Sequence, residues 1–270
     1  SLDDLVHGEE KPTPLTQLED PEELVKSYPF PAYVTQDDLI AAVNRPLLAL
    51  TGYAREDLVG SRARHACFLY PDARFEAGRY LGITHDGGIF SHSTVSAPMR
   101  REMVLHVVHV RTEEAMEKSL TPLYSAKPAS LEELFARIQG ALRYLGVRGV
   151  VLSVTRIPSW ETHLYCSSTY FHLTREEILA REPREIWGAA RAELERCHSL
   201  GIPCDRYVDH LTRHAPLPEV YTPRRVIDVP ISGGTFGVGW AGDLTPIGFL
   251  PFLQRLAGYL DDHYPAILGG

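Results

Sequence analysis

The spacing of apolar and polar positions changes period several times along the chain, and each change predicts an element. From Phe30, FPAYVT alternates, QDD supplies a turn and LIAAV resumes an apolar run, a pattern that predicts a β-hairpin. Asn44 stands where a helix N-cap is needed and Pro46 suits a first turn, so PLLAL is expected to form a short helix ended by Thr51-Gly52-Tyr53. AREDLVG predicts another short helix closing at Gly60, and DARFEAGRYL after Pro71 reads as a third helical piece. Two β-rich runs follow, GGIFSHSTVSA after the Asp86-Gly87-Gly88 turn and REMVLHVVHV, which are expected to pair antiparallel.

TEEAMEKSL has helical propensity before Pro122 and Pro128 interrupt. Ser130 and Glu133, at capping-box spacing, open a helix whose Leu131, Leu134, Phe135, Ile138, Leu142 and Leu145 form one stripe. Beyond Gly146, RGVVLSVTRI is a β-branched strand, with ETHLYCSST as its partner across Pro158-Ser159. Thr174 and Glu177 repeat the capping box, and Pro183 and Gly188 are expected to divide 174–200 into two helices. PCDRYVDHLTRHAPLPEVYTP is poorly periodic and reads as an irregular loop. RRVIDVPI and TFGVGWAG make a hairpin about Gly233-Gly234, and IGFLPFLQRLAGYLDDHY makes a closing amphipathic helix.

These breaks suggest a loosely held arm over 1–20, a first domain over 21–125, a connecting helix over 126–146 and a second domain over 147–270. The length, 270 residues, suits two domains at roughly 150 residues each. Lys+Arg 27 against Asp+Glu 35 gives a net charge of -8, which offers no global attraction to nucleic acid or anionic membranes, and neither partner is expected. No apolar stretch approaches the roughly 20 residues of a membrane span, and the acidic N-terminus lacks signal-peptide order, so a cytoplasmic location is expected. The cysteines, Cys67, Cys166, Cys197 and Cys204, show no CxxC spacing and are expected to be free thiols. A start without Met and an end at Gly-Gly read as a fragment of a longer protein.

The stretch YPFPAYVTQDDLIAAVNRPLLALTGYAREDLVG resembles the opening of a PAS domain: hairpin, Asn before a short helix, Thr-Gly-Tyr, a polar helix, then Leu-Val-Gly. The second half is similar to a GAF domain, with a leading helix, VRGVVLSVT, a helical middle, VIDVPISGGTFGVGWAG and a terminal helix. The resemblance implies an α+β fold of two domains, each an antiparallel β-sheet flanked by helices, PAS-like then GAF-like. It further implies a sensory input fragment of a bacterial signalling protein, of the two-component kind. Such a fragment binds a small ligand or forms a homodimer through helical elements, and relays a conformational change to a fused or coupled output domain. Candidate pocket residues are Tyr33, Leu48, Phe68, Tyr80, Phe90 and His106 in the first domain, and Cys166, Tyr170, Trp187 and Trp240 in the second. Regularly spaced apolar residues equally describe a filled core.

No cofactor is required by the sequence, and no catalytic or metal-binding set is assigned. GSRARHACFLYP places Cys67 beside Phe68-Leu69, similar to the flavin-photoreceptor form of the PAS fold, but without the intervening Arg; a buried Cys acting as a small hydrophobe explains it equally. Haem would need one imidazole among His65, His85, His92, His106 and His109; His106 and His109, three apart on a strand, face opposite sides. Cys197-His198 is similar to the bilin-attaching pair of the phytochrome branch of GAF domains, though RRVIDVPI follows at a long distance. Cys197 and Cys204 also raise a thiol-based reductase of methionine sulfoxide as the enzymatic alternative. ISGGTFGVGW lies between two strands and reads as a hairpin turn instead of a phosphate cradle.

Overall fold

The computed structural model describes residues 20–26, 28–75, 77–181, 184–207, 225–242 and 244–268. The chain is α+β and divides into two units, one of residues 1–86 with 90–111 and one of 87–89 with 112–270.

The first unit carries α1 (Pro21–Lys26), β1 (Ala32–Gln36), β2 (Leu39–Val43), α2 (Arg45–Thr51), α3 (Arg55–Leu58), β3 (Tyr70–Pro71), β4 (Arg79–Ile83), β5 (Gly88–Pro98) and β6 (Met103–Val110). The sheet order is β2-β1-β6-β5-β4-β3. The β1–β2 hairpin turns at Asp37 and Asp38, both at positive φ, and its register shifts between Val34 and Thr35. Because side chains alternate across a strand, Ala32, Val34, Ala42 and Leu105 bury one face against Leu24 and Val25 of α1. Tyr33, Val43 and Val108 bury the other against Leu47, Leu58 and Phe68. Asn44 caps α2 by accepting from Leu47 N, and Gly52 ends that helix at φ 71.

Residues 79–81, expected to end a helical piece, belong instead to the strand β4. Tyr70 pairs with Leu81, Gly78 turns at φ 91, and the Asp72 carboxylate grips Arg74 Nε at 2.7 Å, so the preceding loop is a tied turn. Any side chain at Gly82 would collide with the Phe90 ring, which explains a glycine inside a strand.

The second unit adds α4 (Thr112–Tyr124), α5 (Leu131–Tyr144), β7 (Val151–Arg156), β8 (Thr162–Cys166), β9 (Thr169–Leu173), α6 (Arg175–Arg181), α7 (Arg184–Leu200), β10 (Cys204–Tyr207), β11 (Arg225–Ile231), β12 (Gly234–Trp240) and α8 (Phe249–Leu268). Its sheet runs β10-β11-β12-β7-β8-β9, with every neighbouring pair antiparallel. The units divide at Arg111/Thr112, earlier than the 125/126 boundary expected, because α4 packs against α5 and Tyr259 of α8 donates to the Leu123 carbonyl.

Ser130 caps α5 while the Glu133 carboxylate accepts from Ala129 N at 2.8 Å, and the Thr174–Glu177 capping box closes in both directions. Glu133 N donates to Ser130 Oγ at 3.1 Å, and Thr174 N and Glu177 N exchange bonds with each other's side chains at 2.8 and 3.3 Å. Gly188 does not divide the helical run, since it lies inside α7. Pro183 and the first 19 residues, including most of the expected arm, lie outside the described residues, as do 208–223 of the expected irregular loop, whose residues 204–207 form the strand β10. The sequence pattern missed β9, whose turn uses Ser167 and Ser168 at φ 49 and 63. Among the described residues, no helix is long and apolar enough to cross a membrane.

Candidate functional site

In the first unit the predicted pocket residues meet on the sheet face opposite α1. The Tyr33 ring stacks on His106 at 4.5 Å between centroids and meets Phe68 edge-on at 5.3 Å. Cross-strand register explains the stack, since Tyr33 lies opposite His106. Phe90 and Tyr80 stack on His92 at 5.3 and 5.6 Å, and Leu48 packs against the same core from α2. Five of the six residues contribute rings, and Leu48 an aliphatic side chain, to this aromatic cluster.

Polar groups are set into that cluster. His106 Nε2 pairs with Thr35 Oγ1 at 2.8 Å and Nδ1 with Ser96 Oγ at 2.7 Å, so both ring nitrogens are engaged, and Ser96 brings the set to solvent. His92, fully buried, pairs Nε2 with the Phe68 carbonyl. Burial holds both imidazoles below their ordinary range and raises the Tyr33 phenol, so the set is neutral at pH 7. Cys67 is half-buried, its thiol pushed up by burial, and its hydrogen bond to Tyr53 takes that phenol to about 12. His65 and His85 are exposed.

In the second unit the predicted residues separate. Tyr170 lies opposite Tyr165, and Cys166 opposite Thr169, so Cys166 projects to the face away from Tyr170. Trp240 is buried, edge-on to Phe249 at 5.2 Å, and Trp187 lies in α7 with its side chain outside the described residues. Cys197 and Cys204 are buried and donate to different acceptors, the Asp228 carbonyl at 3.5 Å and Glu193 Oε1 at 3.1 Å.

Sequence reasoning missed a polar set at the edge of the second sheet. His163 lies opposite His172, their rings stacked at 4.5 Å and inclined by 6°. His163 Nδ1 pairs with the Tyr170 hydroxyl at 2.6 Å, His172 Nε2 pairs with Glu161 Oε1, and Arg156 Nη1 reaches Glu161 Oε2 at 3.4 Å. Burial, reinforced by His172, takes His163 down to about 4; burial is the largest influence on Glu161 and pushes it up, but the His172 hydrogen bond together with the nearby charges of His172, His163 and Arg156 outweighs it and holds the carboxyl below its usual range. Beside this set is a cleft of about 570 Å³, bordered by Val154, Arg156, Glu161, Ile231 and Gly234. One signal was present in the sequence: His163 and His172 stand four positions either side of the Ser167-Ser168 pair, which makes them cross-strand neighbours once that pair is read as a turn.

No protein-family profile matches the chain, and no curated protein matches it. Among solved structures it is similar to the PAS domain of an HTR-like protein from Haloarcula marismortui, with 20% identity over 32% of this chain and 90% of that one, at a TM-score of 0.27. It is also similar to the chromophore-binding domain of an unusual bacteriophytochrome from R. palustris, with 10% identity over 95% of this chain and 99% of that one, at 0.37. A third likeness is to the LOV domain of a blue-light activated histidine kinase from Erythrobacter litoralis, with 19% identity over 32% and 98%, at 0.27.

Proposed function

We propose that this chain is a sensory and regulatory input module of a bacterial signalling protein, whose first unit takes up a small ligand and whose helices relay the change to an output domain. The observation that carries this reading is the polar set at the solvent-facing rim of the first unit's aromatic cluster. His106, Thr35 and Ser96 hold hydrogen bonds beneath Tyr33, where apolar residues would pack without any polar group to satisfy. A ligand offering the same donors and acceptors exchanges with these bonds, and by binding one packing better than another it shifts the population. The burial of Cys197 and Cys204 supports binding over thiol turnover, because a redox cysteine needs exposure. Homodimerisation through α5 and α8 and a cytoplasmic setting belong to the same proposal.

Native mass spectrometry of the full chain, with an absorbance spectrum, tests it. The expected result is a retained small molecule, or a thermal shift with one member of a metabolite panel, diminished in His106→Leu. The absence of both a retained molecule and a shift would overturn ligand sensing. Light scattering across concentration reads the dimer separately, and a strict monomer would count against dimeric relay.

A further inference from the structure

Beyond that reading, and independent of it, we infer that Glu161, His163 and His172 form a binding site for one divalent transition-metal ion of the zinc class at the β9 edge of the second sheet. Each residue offers one donor atom, and the three donors lie within 4.8 Å of one another. Two imidazoles and a carboxylate suit Zn²⁺, Co²⁺, Ni²⁺ or Cu²⁺, whereas Mg²⁺ and Ca²⁺ prefer oxygen alone.

The backbone sets the spacing, because His163 and His172 are register partners on β8 and β9 and Glu161 lies just ahead of β8. His163 is buried, and the Tyr170 hydroxyl on its Nδ1 orients the ring and selects Nε2 as the donor, the outer-shell arrangement that metal-binding histidines use. The two rings are inclined by only 6°, so their in-plane lone pairs run side by side instead of converging. Tetrahedral ligation at about 2.1 Å needs nitrogens roughly 3.4 Å apart. The adjustment falls to His172, whose side chain is 45% exposed and which must exchange its Glu161 contact for the ion while His163 stays in place. Three protein donors leave the fourth position to water from the adjoining cleft, which Glu161 and Arg156 border.

Titration of the chelator-stripped full chain with Co²⁺, followed by absorbance and by displacement with Zn²⁺, tests the site. Expected is one tight equivalent without a thiolate charge-transfer band, weakened at least ~10-fold in His172→Ala and in Glu161→Gln and by about tenfold in Tyr170→Phe. His85→Ala, an exposed histidine of the first unit, leaves it unchanged. Because His172 is exposed, its loss leaves the fold intact, which circular dichroism confirms before titration. No tight equivalent, equal affinity in His172→Ala and the unaltered chain, or a thiolate band would each overturn the assignment, and none of them bears on ligand uptake by the first unit.

Discussion

Replacing Asn44 separates two roles that one side chain performs in the first unit. Its Oδ1 accepts from Leu47 N at 3.0 Å, capping α2, and from Ala32 N at 2.9 Å, at the start of β1. Its Nδ2 donates to the carbonyls of Phe30 at 2.7 Å and Tyr28 at 3.2 Å. Asn44→Ala removes a cap worth about 1 kcal/mol and strands the fully buried Ala32 N–H, which costs a further ~1–3 kcal/mol, for a loss on the order of 3 kcal/mol. In urea that moves the midpoint by on the order of 1–3 M. Asn44→Asp is the discriminating variant. Aspartate caps helices as well as asparagine does, but it sets a carboxylate oxygen against the Phe30 and Tyr28 carbonyls. The loss is therefore expected to match that of the alanine variant. Trp160, Trp187 and Trp240 all belong to the second unit, so tryptophan fluorescence reports that unit while far-ultraviolet circular dichroism reports both. The expected change is a shifted dichroism transition with an unmoved fluorescence transition. An Asn44→Asp midpoint within experimental error of the unaltered chain would show that capping alone matters and refute the junction role.

Gly82→Ala drives a methyl group into the Phe90 ring and is expected to cost about 1–3 kcal/mol, read in the same dichroism transition; an unchanged midpoint would mean that the ring moves aside without cost. Phe236→Ala, at a fully buried position of β12, is expected to cost about 3–5 kcal/mol and to move the fluorescence transition instead. Acid should weaken the first unit. Burial lowers His92, against the opposing Phe68 and Ser93 backbone bonds and with help from Arg79, and burial lowers His106. The unfolded chain therefore takes up protons first, near pH 6.5; stability is complete above that value and falls as pH drops toward the folded-state values. Melting temperatures from pH 7.5 to 5 should decline, with a flatter decline in His92→Gln/His106→Gln, and a melting temperature that rises on acidification contradicts the sign.

Local chemistry was legible along the chain wherever a residue acts on its own neighbours. Asn44 and the Ser130–Glu133 and Thr174–Glu177 pairs cap their helices through bonds spanning three residues, and alternation predicted β1 while apolar and β-rich runs bounded by turns predicted β2, β5 and β6, because all depend on near-sequence geometry. The hairpin and short helices between Phe30 and Gly60 were readable for the same reason. The strand β4 was not: only Gly82 within Arg79–Ile83 weighs against a helix, and the extended form rests on pairing with Tyr70 and Pro71 and on the space beneath Phe90.

Which unit α4 joins was likewise set by packing against α5, a contact its own weak amphipathic pattern does not announce. The roles of Asn44 beyond its cap, and the meeting of Glu161, His163 and His172, also depend on tertiary placement. A hydrogen bond to a carbonyl 14 residues away, or a histidine facing another across a turn, exists only once the register is chosen. Sequence period names the face a side chain occupies, and folding alone selects what stands opposite it.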